Sequence, residues 1–281
     1  MTLTVAVMAP GMMGSGVAAR LARNGARVIT SLAGRGAESI ARAASAGMEN
    51  VPEADLADAD ILLSIVPPGQ ALALAERLAP YLTAAVKPLV YADCNAVSPA
   101  TACHIEAVIA ATGNKFVDGG IIGGPPKPGS TGTSIYLSGP YAGELAVLAE
   151  HGLEIRVLAG PVGAASALKM SYAGITKGFT ALGSAMMLAA TQAGAADDLK
   201  RELTASQPAL LGWLTRQVPG MYSKAHRWVA EMEEISAFAG DGDPAAAHIF
   251  RGAAELYTRL AADFKDGRRE IGALDTFLGK S

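Results

Sequence analysis

The chain has 281 residues, 51% of them hydrophobic and 17% charged, with a net charge of −3: enough apolar material for one large or two ordinary domains, and no basic excess for nucleic acid or anionic lipid. Its two cysteines, Cys94 and Cys103, suit free thiols in a reducing cytosol and offer no metal-ligand spacing. The N-terminus enters a strand pattern without a charged leader, and the apolar windows are broken by Gly, Lys or Pro before membrane-spanning length, so a cytoplasmic protein is expected.

Residues 3–8 form an apolar run, with Leu3, Val5 and Val7, that leads into A-P-G-M-M-G-S-G at 9–16. The turn opens a helix with Val17, Ala18, Leu21 and Ala22 on its apolar face. Strand, glycine turn and helix in that order form the dinucleotide-binding fingerprint. The helix N-terminus offers unpaired amides and a positive dipole end to a pyrophosphate, and glycines let the backbone approach it. Ala9 stands where the pattern has its first glycine, while Gly11 and Gly14 are in place. Cofactor contacts are expected from Ala9, Gly11, Met12, Met13 and Gly14.

A second strand, expected at 27–30, runs into Ser31-Leu32-Ala33-Gly34-Arg35. A carboxylate commonly grips the ribose hydroxyls of NAD here, but none appears before Glu38. Ser31 and Arg35 suit a 2′-phosphate instead, so NADP(H) is favoured over NAD(H); the alternative for Arg35 is a solvated loop side chain. Further strands are expected at 61–66, 89–93, 115–119, 134–137 and 153–157, with helices between many of them. That alternation implies a doubly wound, largely parallel sheet covered on both faces. Val66 and Pro67 end one strand and Asn95 and Ala96 follow another, at the carboxyl edge where nucleotides bind. Asn95 is expected near the nicotinamide ribose or carboxamide, or else in an ordinary Asx turn.

The second half changes character. Residues 162–194 are rich in Ala, Leu and Met and contain no proline. A helix of that size spans roughly 50 Å at about 1.5 Å per residue, too long for the interior of a small domain. It is expected to form a spine shared with a second subunit. Further helices are expected at 207–217, 222–238 and 245–265, the last with Asp243 as N-cap before Pro244. The organisation expected is an α/β domain at 1–160 and an all-α domain at 161–281 that begins with the long interdomain helix. A homodimer through the helical domain would cover its apolar surface.

Four stretches in order resemble the β-hydroxyacid dehydrogenase superfamily, which includes 3-hydroxyisobutyrate and 6-phosphogluconate dehydrogenases. They are residues 9–16, D-C-N-A-V-S-P at 93–99, V-D-G-G-I-I-G-G-P-P-K-P-G-S-T-G-T at 117–133, and G-P-V-G-A-A-S-A-L-K at 160–169. The resemblance covers residues 1 to about 190. It implies a Rossmann domain followed by helices, nicotinamide-dependent oxidation of CH–OH or the reverse, a substrate loop at Ile122-Gly123-Gly124, and Lys169 as general acid–base. An apolar setting would disfavour the Lys169 ammonium; the structural alternative is a lysine that snorkels to the surface. The stretch K-A-H-R-W-V-A-E-M-E-E-I at 224–235 resembles the helical domain of one branch of this superfamily.

Two positions depart from the family pattern. The asparagine one turn after the lysine is Ala173, whose methyl cannot hydrogen-bond; Thr176 returns to the same helix face and offers a hydroxyl. The family's Ser-Gly-Gly is Ile122-Gly123-Gly124, which lacks the hydroxyl that would meet a substrate carboxylate. Both imply a substrate bulkier or less polar than 3-hydroxyisobutyrate. Lys127 either holds an anion or is a solvated loop residue. In the helical half His226 is a candidate for acid–base work and Arg227 for a substrate carboxylate; otherwise Arg227, Glu231 and Glu234 pair along one face. His104, His151 and His248 read as surface or structural residues, and Trp213 and Trp228 as core or interface anchors. Three functions stay open: an NADP(H)-dependent dehydrogenase acting on a small hydroxy acid or its carbonyl form, an imine reductase, and a non-catalytic NADPH-binding or sensing protein.

Overall fold

The computed structural model describes residues 2–127, 129 and 132–279. The chain divides into two units, Met1–Met170 and Ser171–Ser281. The first carries β1 (Thr4–Met8), α1 (Met12–Arg23), β2 (Arg27–Thr30), α2 (Ala37–Ser45), β3 (Met48–Asn50), β4 (Ile61–Ser64), α3 (Ala71–Thr83), β5 (Val90–Asp93), α4 (Pro99–Ala110), β6 (Lys115–Ile122), β7 (Ser134–Ser138) and β8 (Glu154–Val157). The long helix α5 (Ala164–Gln192) begins in the first unit and continues into the second, which adds α6 (Ala196–Ser206), α7 (Pro208–Met221), α8 (Ala225–Ala239), α9 (Pro244–Lys265) and α10 (Arg269–Leu278).

The eight strands form one sheet in the order β3-β2-β1-β4-β5-β6-β7-β8. Every pairing is parallel except β6 with β7, which sets Asp118 opposite Ser138. Successive side chains along a strand point to opposite faces. Val5, Val7, Val28 and Leu63 therefore pack with Val17, Ala18 and Leu21 of α1 on one face. On the other face Ala6, Met8, Leu62 and Tyr91 pack with Leu74 and Leu78 of α3 and Ile105 and Ile109 of α4. Burial on both faces is what makes these strands read as apolar runs rather than alternating ones. The fold is the doubly wound, largely parallel Rossmann sheet followed by helices that the sequence implies.

Four elements differ from the expectation. The edge strand β3 carries two exposed residues of three, Glu49 and Asn50, and its place is set by pairing with β2 and by the Arg27–Glu49 ion pair at 2.9 Å. Strand β6 runs three residues beyond Gly119 because it pairs with β7 out to Ile122–Ser134. Helices α6 and α10 were not expected: α6 has no buried residue, and its only large apolar residues are the half-buried Leu199 and Leu203. The α10 start is instead capped from a distance by Asp263, which accepts from the amides of Arg269 (2.9 Å) and Ile271 (2.8 Å). Asp243 caps α9 as expected, accepting from Ala245 and Ala246 amides.

In the second unit the Lys177 ammonium of α5 pairs with the Glu231 carboxylate of α8 and lies 5.0 Å from the centre of the Trp228 ring. Trp228 meets Tyr257 of α9 edge-on, and the Tyr257 hydroxyl donates to the Lys177 carbonyl at 2.6 Å. The α5 face is glycine-lined where α8 and α9 come close: a Cβ on Gly174 would lie 3.2 Å from Phe250 and 3.3 Å from Ile235. Among the described residues, no helix is long and apolar enough to cross a membrane.

Candidate functional site

The strand order reverses between β2-β1 and β4-β5, so the crevice outside the carboxyl ends of β1 and β4 is the topological switch point where open α/β sheets bind ligands. Helix α1 begins there. Its N-cap, Gly11, is exposed and extended, supplies no capping side chain, and is followed by no acidic residue in the first turn. The helix end thus keeps its amides and its positive dipole for an anion. A Cβ on Gly11 would meet nothing within 4 Å, whereas one on Gly14 would lie 2.1 Å from the Ala9 carbonyl oxygen. Gly14 therefore seats the helix on the end of β1 and Gly11 leaves the space above it open. Ala9 is buried beneath the turn, Met12 is exposed and Met13 half-buried. This cradle fits the pyrophosphate of a dinucleotide.

At the end of β2, Ser31 is buried and Arg35 half-buried. The sequence reading missed Arg42 of α2. Its Nε donates to the Pro10 carbonyl at 3.1 Å while Nη1 pairs with Glu38 at 2.5 Å, so it fastens α2 to the glycine turn. The four-residue Glu38–Arg42 spacing was visible; the contact with Pro10, 32 residues away, was not.

Between β4 and β5 stands Asn95. Its amide nitrogen donates to Ser64 Oγ (2.8 Å) and Asp93 Oδ1 (2.5 Å), and its oxygen accepts from the Val66 amide at 2.6 Å. Asn95 is thus a buried bracket that fixes the start of the Val66-Pro67 turn, with Ala96 half-buried beside it. Asp93 Oδ2 and the Tyr91 hydroxyl are buried with no hydrogen-bond partner among the described residues. Burial, only partly offset by hydrogen bonds from Asn95, lifts the Asp93 carboxyl to about 7, and burial also raises the Tyr91 phenol.

Lys169 lies half-buried on the second turn of α5. A Cβ on Gly120 of β6 would lie 2.9 Å from the Ala165 carbonyl oxygen and 3.1 Å from Lys169 Cβ, so α5 rests directly on strand backbone at this point. The loop that follows β6 leaves from half-buried Ile122, the last residue of the strand. Gly123 adopts φ +123°, and a Cβ there would lie 2.1 Å from the Gly132 carbonyl oxygen; only glycine permits that closure. Thr133 Oγ1 donates to the Gly124 carbonyl at 2.5 Å. The loop is held to α1 by Arg20, which donates to the Lys127 carbonyl at 2.7 Å, and by Gly16, where a Cβ would lie 3.0 Å from Pro126. Lys127 itself is exposed; Pro128, Ser130 and Thr131 of the expected substrate loop lie outside the described residues.

The first unit therefore gathers the fingerprint, Ser31, Arg35, Val66, Pro67, Asn95 and Ala96 along the carboxyl ends of β1, β2, β4 and β5. In the second unit Ala173 is buried, and the Thr176 hydroxyl donates back to the Tyr172 carbonyl at 2.9 Å. His226 and Arg227 are exposed. The expected pairing of Glu231 with Arg227 is not formed: Glu231 takes Lys177, because the packing of α8 turns that carboxylate toward α5. His104 and His248 are exposed, and His151 shares a hydrogen with the Asn24 carbonyl. Trp213 meets Phe179 edge-on.

Residues 190–260 match a domain of unknown function, DUF1932. A 28.5 kDa uncharacterized protein from the 7S RNA 5′ region of Methanothermus fervidus is 31% identical over 182 residues, which cover 64% of this chain and 68% of that protein. A conserved protein of unknown function, whose structure is described as similar to 3-hydroxyacid dehydrogenases, aligns at 29% identity over 95% of this chain and 99% of that one, with TM-score 0.71. The fold is shared with Mycobacterium tuberculosis 3-hydroxyisobutyrate dehydrogenase at 18% identity (95% and 96% of the chains, TM-score 0.71). It is shared too with an imine reductase from Myxococcus stipitatus in complex with NADP+ at 20% identity (99% of each chain, TM-score 0.55). Residues 4–146 match the NAD-binding domain of 6-phosphogluconate dehydrogenase, and this chain belongs to that family, in the branch of the β-hydroxyacid dehydrogenase superfamily with a C-terminal helical domain.

Proposed function

We propose that this protein is a cytoplasmic NADP(H)-dependent oxidoreductase that moves a hydride between nicotinamide and a small hydroxy acid or its carbonyl form. The observation that carries the reading is the seat of Lys169, pressed against Gly120 in the unit that holds the open α1 cradle. Residues 1–160 serve as the dinucleotide domain and 161–281 as the helical substrate and dimerisation domain. Gly11 to Gly14 receive the pyrophosphate, with Met12, Met13, Val66, Pro67 and Ala96 lining the nucleotide and buried Ala9 and Asn95 shaping the turns beneath it. Ser31 and Arg35 select the 2′-phosphate, since a guanidinium matches phosphate geometry. Bound nicotinamide accepts or donates the hydride. Lys169 Nζ takes the hydroxyl proton in oxidation and returns it to the carbonyl oxygen in reduction. Within the first unit Ile122, Gly123 and Gly124 make the substrate contacts; within the second, Thr176, His226 and Arg227 are the candidates for binding substrate.

Ala173 and Ile122 withhold the polar groups that would hold a hydroxy acid, which supports a less polar substrate. The same two positions favour the second reading, imine reduction. The long helix supplies the dimer surface: Tyr172, Ile175, Phe179, Leu182 and Met186 are all exposed. Their spacing of three and four residues is that of a helix seam awaiting a partner.

The test is a titration of NADPH and NADH by fluorescence, then NADPH oxidation with keto acids, aldehydes and cyclic imines, in wild type and Lys169→Met. NADPH binding at least tenfold tighter than NADH, with keto-acid or aldehyde turnover lost in the variant, supports the reading. Turnover of cyclic imines alone moves it to the second. Tight binding with no turnover makes the protein an NADPH-binding or sensing module.

A further inference from the structure

We infer that Asp118 is the positioning residue for Lys169: its buried carboxylate clamps the first turn of α5 to β6 and β7 and so sets where the lysine stands. The inference rests on the proposed role of Lys169.

Asp118 is fully buried. Its Oδ2 accepts from Ser138 Oγ (2.9 Å), the Gly163 amide (3.0 Å) and the Ser166 amide (3.0 Å), and its Oδ1 accepts from Ser166 Oγ at 2.6 Å. Ser138 Oγ in turn accepts from the Ala165 amide at 2.9 Å. Three backbone amides at the start of α5, those of Gly163, Ala165 and Ser166, are thereby tied to two strands. The bonds span 45 to 48 residues of sequence, so this is no local cap. Burying a carboxylate is costly unless its lone pairs are filled, and here four donors fill them. The negative charge also faces the positive end of the helix dipole.

The geometry transmits directly to Lys169. Asp118 and Gly120 are two residues apart on β6 and so share a face. Asp118 holds the amides of 163 and 166, while Gly120 receives Ala165 and Lys169 against bare backbone. The clamp fixes the axial position and rotation of the helix, and the glycine fixes its depth. Lys169 follows Ser166 by three residues, so it rises from the same side one turn on.

Asp118→Asn keeps the shape but turns one acceptor into a donor facing the amide and hydroxyl donors. The full chain, without substrate, is followed by amide hydrogen exchange of the peptide 163–170. Reductive methylation of Lys169 by formaldehyde and a borane is read by mass spectrometry. Loss of one buried charged hydrogen bond predicts exchange and Lys169 labelling faster by about tenfold. Labelling of Lys115, on the same strand, and NADPH affinity stay within about twofold. Ser166→Ala, which removes only one bond, gives a smaller change in the same direction and serves if Asp118→Asn does not fold. Asp243→Ala, a cap lost in the other unit, leaves Lys169 labelling unchanged and separates clamping from general loosening. On any carbonyl that turns over, Asp118→Asn lowers kcat with KM nearly unchanged. Unchanged exchange and labelling in both Asp118→Asn and Ser166→Ala would overturn the inference and leave the role of Lys169 standing. Full turnover in Lys169→Met would instead remove the lysine from the reaction.

Discussion

Replacing Asp93 by Asn changes how stability depends on pH, and the size follows from where the carboxyl sits. Asp93 lies at the end of β5 with no exposed surface; Oδ1 accepts from Asn95 and Oδ2 has no partner among the described residues. Burial, with a smaller contribution from Asp118, raises the carboxyl from 3.8 to about 7. In the unfolded chain it ionises near its ordinary value of about 3.9. Below pH 4 both states hold the proton. Between pH 4 and 7 the unfolded state releases it and the folded state does not, so stability falls as pH rises. Above pH 7 both are ionised and the loss is complete. A shift of that size corresponds to about 4 kcal/mol lost between pH 4 and pH 8. The assay is urea unfolding of wild type and Asp93→Asn at pH intervals from 4.5 to 8.5. The difference between the two curves cancels the carboxylates that do not interact with Asp93. It is expected to move by about 3 kcal/mol or more in favour of the variant across that range. Parallel curves would refute the argument, because they would mean that Asp93 is already ionised at pH 4.5 in the folded protein.

Gly14→Ala puts a methyl 2.1 Å from the Ala9 carbonyl; it is expected to cost about 1–3 kcal/mol by overpacking and to abolish NADPH binding, read by thermal shift with and without NADPH. Leu182→Glu places a charge in the middle of the exposed seam of α5. Light scattering should fall from a dimeric to a monomeric mass, and a monomeric wild type at micromolar concentration would sink the dimer. Glu231→Gln leaves the largely buried Lys177 ammonium without its counter-charge, which is expected to cost about 3 kcal/mol in urea unfolding. Stability within 0.5 kcal/mol of wild type, roughly the noise of a surface substitution, would mean that water already reaches the pair.

The elements that the sequence marked well are those whose signal is local. The strand, turn and helix of residues 3–23 announce themselves through apolar periodicity and glycine spacing, and Asp243 before Pro244 marks the start of α9. The long helix α5 was legible because nothing in 164–192 interrupts it. Where the signal was weak, as in the three-residue β3 or in α6 with only Leu199 and Leu203 as large apolar residues, the chain by itself offered too little pattern to decide.

The candidate site divides in the same way. The cradle at Gly11 and Gly14 was visible because a pyrophosphate needs one turn and one helix end, both encoded within a dozen residues. Three-dimensional packing decided the rest. Asn95 turned inward to bracket Ser64, Asp93 and Val66; Glu231 chose Lys177 over the nearer Arg227; and Asp118 reached across more than forty residues to the start of α5. Hydrogen-bond partners of buried polar groups depend on which backbones the sheet brings together. Spacing along one segment therefore determined the dinucleotide fingerprint and the long helices α5 and α9, whereas only the tertiary structure decided the helices α6 and α10 and which polar side chains brace the site.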